Sequence, residues 1–294
     1  GLTIYLLFGR SGAVSVMRRR FGKNMTMLRR YHAPILQQRR ALPYPDRITR
    51  NHARYLQDRA GYPAYDNTDV TFYGDTCEAL EAQKTALRSA EKFIFMEYFI
   101  VEEGIMWNTI LEILKRKAAE GVEVRFMYDG MCAFDLLPYS YPKKLQKYGI
   151  NCKMSNKIRP FVSTIQNNRD HRKITVIDGK VGYTGGYNLA NEYFNYTHPY
   201  GEWKDTGIRL EGDAVASLTA AFLEMWEASG KTPADVDVLD IEAQKKYLVQ
   251  HPYQAKQTGY IQPYADCPLD GIQVGEDVYI SIVNKADRYC WFMT

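Results

Sequence analysis

Residues 171–188 read HRKITVIDGKVGYTGGYN, and this stretch decides the fold. Its apolar middle predicts a strand over 171–178, because a short apolar run bounded by a turn signal is typical of a buried strand. Asp178-Gly179 is a strong signal for a tight hairpin. The chain is therefore expected to return as a second, antiparallel strand over 181–184.

Side chains alternate along a strand, so His171, Lys173 and Thr175 are expected to share one face. An imidazole beside an ammonium is suited to a phosphodiester. The imidazole can attack phosphorus or move a proton, and the ammonium neutralises the non-bridging oxygens. Asp178 has the opposite parity, so we expect it to support the site rather than to face it.

The returning strand runs into the pair Gly185-Gly186, which lets the backbone approach a ligand oxygen closely. Asn188 follows, just before a helix-like stretch at 189–194. Its carboxamide can donate to a phosphate oxygen, or it can cap the start of that helix. The sequence leaves both interpretations open.

The flanking sequence predicts an α/β fold. Helical periodicity covers 78–91 and 105–119, and the near-continuous apolar run at 93–101 predicts a strand buried on both faces. Alternating apolar residues at 122–128 predict the next strand. A strand, a helix and a strand at this spacing form a βαβ unit with parallel pairing, so we expect a mixed, largely buried sheet flanked by helices.

The net charge of +4 is unevenly distributed, since residues 1–60 contain 13 Lys and Arg but only 2 Asp and Glu. The basic run directly follows an apolar heptapeptide at 2–8. This order favours an anionic membrane surface over nucleic acid as the partner. The heptapeptide is shorter than the ~20 residues that span a bilayer. We interpret it as the end of a transmembrane helix with the arginines on the cytoplasmic side; a short buried element is the alternative.

A weak internal repeat suggests two lobes. Residues 70–75 are echoed by 261–266, and 87–93 are echoed by 283–289. The predicted organisation has four parts: the end of a transmembrane helix (1–8), a basic juxtamembrane connector (9–67), a first lobe (68–245) and the start of a second, similar lobe (246–294).

The pattern HxKx4Dx6GGxN, running from His171 to Asn188, resembles the signature of the phospholipase D superfamily. Five residue types at fixed offsets are far more specific than an isolated HxK pair. A downstream segment at 202–206 resembles the part of that family whose aspartate, here Asp205, orients the catalytic imidazole. Further flanks resemble the bacterial cardiolipin synthase branch; they are 97–100, 121–130, 168–173 and 262–270.

The resemblance implies a phospholipase D-like lobe with two such motifs converging on one active site. One histidine would form a phosphohistidine and the other would protonate the leaving alcohol, with no metal or other cofactor. In a cardiolipin synthase the substrates are two phosphatidylglycerols, giving cardiolipin and glycerol at the cytoplasmic side of the cell membrane. We predict His171 as the nucleophile, although the sequence does not separate nucleophile from acid.

Only one motif is present in this chain, so the second lobe of a longer chain is predicted as its partner and the piece alone is predicted to be inactive. The main rival is a single-motif nuclease that builds its site by homodimerisation. The apolar heptapeptide and the 106 residues after Asn188 favour the membrane enzyme. A catalytically dead lipid-binding relative is a second rival, which the intact His171 and Lys173 disfavour.

Glu97 is a carboxylate within the apolar run at 93–101. Burying it unpaired is costly, so it is expected either to pair with a cation near the site or to lie at the exposed end of the strand. We include it with Gly185, Gly186, Asn188 and Asp205 as a phosphate-binding or supporting residue, and predict His171, Lys173 and Asp178 as the catalytic set.

Overall fold

The computed structural model describes residues 22, 26–36, 44–156, 169–229, 241–267 and 272–291. The strands are β1 (Thr68–Tyr73), β2 (Phe93–Tyr98), β3 (Glu123–Asp129), β4 (Asn151–Ser155), β5 (Ile174–Ile177), β6 (Val181–Gly185) and β7 (Gly207–Gly212). The helices are α1 (Arg47–Tyr55), α2 (Thr76–Arg88), α3 (Ile105–Ala119), α4 (Cys132–Asp135), α5 (Tyr141–Gln146), α6 (Val215–Ala228), α7 (Ile241–Lys245) and α8 (Val274–Lys285).

The seven strands form one mixed sheet in the order β1-β7-β6-β5-β2-β3-β4. Strands β2, β3 and β4 are parallel to one another, and each remaining neighbouring pair is antiparallel. Helix α3 connects β2 to β3, which confirms the predicted βαβ unit. Strand β5 lies between β2 and β6, so the motif stretch occupies the middle of the sheet.

Both faces of the sheet are covered. On one face Ile94 and Met96 of β2 pack with residues of α2 and α3. On the other face Phe95 of β2 and Val176 of β5 pack against α6. All six residues of β2 are buried, as its continuous apolar pattern predicted. The expected mixed, largely buried sheet flanked by helices is thus confirmed.

Helix α6 is buried all round because a helical segment at 26–36 covers its outer side. Leu36 packs with alanines of α6. Glu224 of α6 accepts a hydrogen bond from Nε of Arg29 at 3.3 Å, and Nδ1 of His32 lies 3.6 Å from the same carboxylate. Part of the segment predicted as a connector therefore packs against the lobe, including His32, to which the sequence assigned no role.

The segment after α7 returns to the sheet. Ile261 forms an antiparallel bridge with Tyr65, and α8 follows. Helix α8 lies 197 to 198 residues after α2, close to the 196-residue offset between 87–93 and 283–289 in the internal repeat. The assignment of 246–294 to a second lobe stays a prediction.

The predicted end of a transmembrane helix at 1–8 lies outside the described residues, as does most of the basic run. Among the helices that the structure describes, none combines the length and apolar character needed to cross a bilayer.

The strand predicted over 171–178 is shorter, since only Ile174–Ile177 pair in the sheet. Residues 169–173 are held by side chains instead, with the backbone N–H of Asp170 donating to Oδ2 of Asp129 at 2.9 Å. The predicted hairpin is present: Ile177 pairs with Val181 across a loop of residues 178–180, in which both Asp178 and Gly179 have positive φ.

Candidate active site

A cavity of about 270 Å³ opens where β5 begins and β6 ends. Its lining includes His171, Lys173, Gly185 and Gly186, so the structure brings together four of the residues predicted for the site. The rest of the lining comes from Arg172, Ile174, Thr184, Ser217, Leu218, Ala221, Tyr264, Ala265 and Asp266.

His171 is exposed at the mouth of this cavity, and its ring lies 4.9 Å from the ring of Phe99, centroid to centroid. Burial of part of the ring lowers the pKa of His171 below its ordinary value, and the charge of Lys173 acts in the same direction. Asp170 and Asp129 oppose this shift. The imidazole is therefore mainly neutral near pH 7, the form that can act as a nucleophile.

Lys173 is buried, and its Nζ lies 5.5 Å from the centre of the same Phe99 ring. Nζ also donates to the carbonyl oxygen of His171 at 2.7 Å. The His171 ring and the Lys173 ammonium therefore both lie near the Phe99 ring, although residues 171–173 precede β5 and do not pair in the sheet. Burial lowers the pKa of Lys173 to about 8, and the charges of Asp170 and Asp205 oppose that shift. The amine is protonated below that pH.

The glycine pair is crowded by the chain that leads into β7. A Cβ on Gly186 would lie 2.0 Å from Oδ1 of Asp205, and a Cβ on Gly185 would lie 2.4 Å from the carbonyl oxygen of Thr206. The absence of side chains thus allows residues 205–206 to pack against the edge of the cavity. Both glycines also line the cavity.

Asn188 is buried, and its Oδ1 accepts a hydrogen bond from the backbone N–H of Ile100 at 3.0 Å. It ties the end of β6 to the loop after β2. The helix-capping interpretation is wrong, because the short 3-10 helix Asn191–Phe194 begins later and is preceded by Ala190. Contact of Asn188 with a phosphate stays a prediction.

Asp178 lies at the opposite end of β5 from His171. Its carboxylate accepts hydrogen bonds from three consecutive backbone N–H groups, those of Glu91 (2.9 Å), Lys92 (2.7 Å) and Phe93 (2.8 Å). These contacts fix the hairpin to the start of β2. The contacts that the structure shows for Asp178 are therefore supporting contacts. The catalytic set predicted from the sequence had also included this residue.

Asp205 accepts a hydrogen bond from the backbone N–H of Thr206 at 2.8 Å and lies against Gly186. Its charge acts on Lys173 rather than on His171. Among the described residues it has no hydrogen bond to the His171 imidazole. The orienting role that the resemblance implies stays a prediction.

Glu97 is fully buried on β2, and its Oε1 forms an ion pair with Nη2 of Arg172. The first of the two expectations for Glu97 is therefore confirmed: it pairs with a cation beside the site. Arg172 also donates from Nε to Oδ1 of Asp170 at 3.3 Å and from Nη1 to the carbonyl oxygen of Ala221 at 3.3 Å. Burial raises the pKa of Glu97 well above its ordinary range, and the Arg172 charge opposes this.

Four residues of the site were not singled out from the sequence. Asp170 precedes the motif and Arg172 occupies a variable position within it, so the motif pattern singled out neither residue. Tyr264 and Asp266 come from the segment after the bridge at Ile261 and form one wall of the cavity. The resemblance of residues 262–270 to the bacterial cardiolipin synthases was the sequence signal that pointed to this segment.

Comparison with known proteins agrees with the geometry. Residues 84–226 match the family model described as "Cardiolipin synthase, PLD-like domain". The cardiolipin synthase of Alkalihalophilus pseudofirmus is 31% identical over 99% of this chain and 56% of its own length. An uncharacterized protein of Streptococcus mutans is 49% identical over 84% of this chain and 51% of its own length.

Among solved structures, the phosphatidylserine synthase of Haemophilus influenzae superposes with a TM-score of 0.46 at 15% identity, covering 69% of this chain and 47% of that one. The chain spans about half the length of the curated relatives it matches. The resemblance carried by the motif is confirmed: residues 84–226 form a domain of the cardiolipin synthase family within the phospholipase D superfamily.

Proposed function

We propose that this chain supplies one half of the active site of a cardiolipin synthase. The observation that carries the proposal is the juxtaposition of His171 and Lys173 on one phenyl ring, at a cavity edged by two glycines. A neutral imidazole and a buried ammonium supply the nucleophile and the phosphate-binding charge of a phosphodiester transfer. The family match over 84–226 supports a phosphatidyl group as the one transferred.

In the first step an imidazole nitrogen of His171 attacks the phosphorus of a phosphatidylglycerol. The bond from phosphorus to the headgroup oxygen breaks, and glycerol leaves with a proton from an acid of the second half-site. In the second step the headgroup hydroxyl of another phosphatidylglycerol attacks the phosphohistidine and returns its proton to that group. The bond from phosphorus to nitrogen breaks, which releases cardiolipin and restores His171.

Lys173 neutralises the non-bridging oxygens in both steps, where charge on the phosphoryl group is greatest. The second half-site comes from additional polypeptide that carries a second motif. The basic amino-terminal stretch holds the enzyme at the anionic, cytoplasmic face of the cell membrane. The partners are thus phosphatidylglycerol, the membrane surface and a second lobe, without nucleic acid or a metal cofactor.

The test compares the 294-residue chain with a version extended to the length of its relatives, each supplied with isotopically labelled phosphatidylglycerol in detergent micelles. We expect cardiolipin and glycerol in equal amounts from the extended version, and none or nearly none from the shorter chain. Equal turnover by the two would contradict the half-site proposal. Cleavage of DNA by the shorter chain, without lipid turnover, would support the nuclease instead.

A second measurement addresses the intermediate. Rapid quenching at alkaline pH, which preserves phosphohistidine, should leave a phosphatidyl adduct on the peptide containing His171. The adduct should disappear in His171→Asn and persist in the control His198→Asn, a histidine exposed on the surface. An adduct on another residue would show that His171 is the acid.

A further inference from the structure

Asp129, the last residue of β3, carries a fully buried carboxylate at which several parts of the chain meet. Its Oδ1 accepts hydrogen bonds from the backbone N–H of Met131 at 2.8 Å and from Nη1 of Arg169 at 3.0 Å. Its Oδ2 accepts from the backbone N–H of Asp170 at 2.9 Å and from Nδ2 of Asn156 at 3.3 Å. Each oxygen accepts two hydrogen bonds, so the carboxylate has no acceptor site to spare.

The segment that carries His171 needs such an anchor, because it lies outside the regular pairing of the sheet. Strand β5 begins at Ile174, so residues 169–173 precede its pairings with β2 and β6. The hydrogen bond from the Asp170 N–H to Asp129 is made one residue before His171, and the ion pair of Asp129 with Arg169 is made two residues before it. The backbone that leads into His171 is therefore tied to β3 through this carboxylate.

The same carboxylate also reaches the surroundings of the ring that His171 contacts. The hydrogen bond from the Met131 N–H to Oδ1 of Asp129 holds the turn after β3, and α4 begins at the next residue, Cys132. Sγ of Cys132 donates to the carbonyl oxygen of Phe99 at 3.2 Å. The Phe99 ring lies 4.9 Å from the His171 ring, centroid to centroid. Asp129 is thus linked to both partners of the contact between His171 and Phe99.

We propose that Asp129 is a positioning residue for the phosphatidyl transfer, whose carboxylate fixes the backbone before His171 and the turn beside Phe99 in one geometry. Among the described residues that line the cavity, His171 is present and Asp129 is not, so the carboxylate acts through the chain rather than by touching substrate. This role rests on the proposed function, in which His171 must reach the phosphorus. A misplacement of about 1 Å in such a group costs about 10²-fold in rate.

The first test measures the position of the His171 ring by NMR, in the 294-residue chain without substrate and at alkaline pH, where the imidazole is neutral in every variant. The ring current of Phe99 displaces the ring-proton signals of His171 by an amount that depends on the distance between the two rings. The chain has five histidines, so His171→Asn identifies the signals and Phe99→Leu measures the displacement. Asp129→Asn should move the His171 signals toward their positions in Phe99→Leu, because an amide nitrogen cannot accept the hydrogen bonds that the lost carboxylate oxygen accepts.

The matched control is Asp69→Asn, on the edge strand β1. The Asp69 carboxylate also accepts from two backbone N–H groups, those of Lys256 at 3.0 Å and Gln257 at 2.8 Å, but at a distance from the cavity. This variant should lose stability and keep the His171 signals at their wild-type positions. Equal displacements in Asp69→Asn and Asp129→Asn would show that any loss of stability moves the ring, which overturns the proposal. Unchanged His171 signals in folded Asp129→Asn would overturn it as well.

A second variant covers the case in which Asp129→Asn does not fold. Arg169→Gln removes the ion pair to Oδ1 and leaves the Asp129 carboxylate in place. It should displace the His171 signals in the same direction and by a smaller amount. Wild-type His171 signals in folded Arg169→Gln, or failure of both variants to fold, would show that the cluster serves the fold alone and would overturn the positioning role.

The second test is kinetic and uses the extended enzyme. Asp129→Asn should lower kcat by about 10²-fold and leave KM for phosphatidylglycerol at the wild-type value, because an interaction that places the nucleophile is lost and no contact with the bound lipid is. A raised KM with an unchanged kcat would contradict the positioning role. Because the NMR measurement needs no turnover, displaced His171 signals without any phosphatidyl transfer by the wild-type extended enzyme would refute the proposed function and leave the anchoring of His171 by Asp129 standing.

Discussion

The guanidinium of Arg172 forms an ion pair with the carboxylate of Glu97, across the boundary between the motif stretch and β2. Glu97 is 0% exposed, and its backbone lies opposite Ile174 in the antiparallel pairing of β2 with β5. The pair therefore joins a fully buried residue of β2 to an arginine that lines the cavity. It ties the segment that carries His171 to a strand that is distant in sequence.

Replacing Glu97 by Gln should destabilise the protein by about 1–3 kcal/mol, because it weakens one of the two carboxyl contacts of the buried Arg172 guanidinium while Asp170 remains. Arg172→Met alone should be similarly costly, and the double variant should cost less than the sum of the two. Urea unfolding of the three variants measures this. The control Glu112→Gln, which removes a surface ion pair with Lys115, should change the free energy of unfolding by about 0.5 kcal/mol or less. Strict additivity of Glu97→Gln and Arg172→Met would contradict the pairing.

Asp178→Asn should lower the free energy of unfolding by about 1–3 kcal/mol, because the amide nitrogen cannot accept the backbone N–H groups that the carboxylate binds. Asparagine tolerates the positive φ of 54° at this position, so backbone strain does not confuse the result. The pKa of His171, followed by NMR, should stay at its wild-type value. A displaced His171 titration would instead place Asp178 in the site.

Gly186→Ala should destabilise the edge of the cavity by about 1–3 kcal/mol, since the added Cβ would overlap Oδ1 of Asp205 and push residues 205–206 away. Gly74→Ala is the matched control, because a Cβ there would meet nothing closer than 3.7 Å. Thermal unfolding of the two variants provides the comparison. Equal melting temperatures would show that Asp205 moves aside without cost.

The pH dependence of the extended enzyme follows from the two lowered pKa values. Lys173 is an ammonium below about 8 and a neutral amine above it, so kcat/KM should fall as the pH rises through that value. His171 is neutral above its lowered pKa, so the nucleophile should remain competent down to slightly acidic pH. A pH–rate profile measures both limbs. A profile that stays flat to pH 9.5 would argue against a required Lys173 ammonium.

Lys173→Met should reduce kcat of the extended enzyme by about 10²–10³-fold, comparable to the loss of one preorganised donor to a developing oxyanion. Its effect on folding should be small, because methionine fills the same buried space against Phe99 without a charge to compensate. Steady-state kinetics with a thermal melt on the same preparation distinguishes the two effects. A wild-type rate in Lys173→Met would exclude its role in phosphate binding.

Much of the fold could be predicted because its signals are local. The helix predicted at 105–119 has the observed bounds Ile105–Ala119, and the six residues of the apolar run at 93–101 that form β2 are all buried. Where an observed helix boundary differs from the predicted one, a capping side chain explains the difference. Helix α2 begins at Thr76 because Asp75 accepts the backbone N–H of Cys77 at 2.7 Å, earlier than its apolar periodicity suggested.

The charged cluster of Glu97, Arg172 and Asp170 could not be predicted in the same way. Glu97 and Arg172 are 75 residues apart, and their contact depends on β2 pairing with β5 rather than on any spacing visible in the sequence. Nothing in the local sequence indicated which residue Arg172 would contact. Tyr264 was hidden for the same reason, since it reaches the cavity only through the bridge at Ile261.

The bridge between Tyr65 and Ile261 limits how far the protein can be shortened at its carboxyl end. Tyr65 exchanges two backbone hydrogen bonds with Ile261, at 2.8 and 2.9 Å, and Gln262 donates to the carbonyl oxygens of Ala53 and Tyr62. A polypeptide that ends at residue 245, the predicted end of the first lobe, would lose these hydrogen bonds. Its cavity would also lack the wall formed by Tyr264 and Asp266. Expression clones meant to keep the pocket whole should extend at least through residue 267.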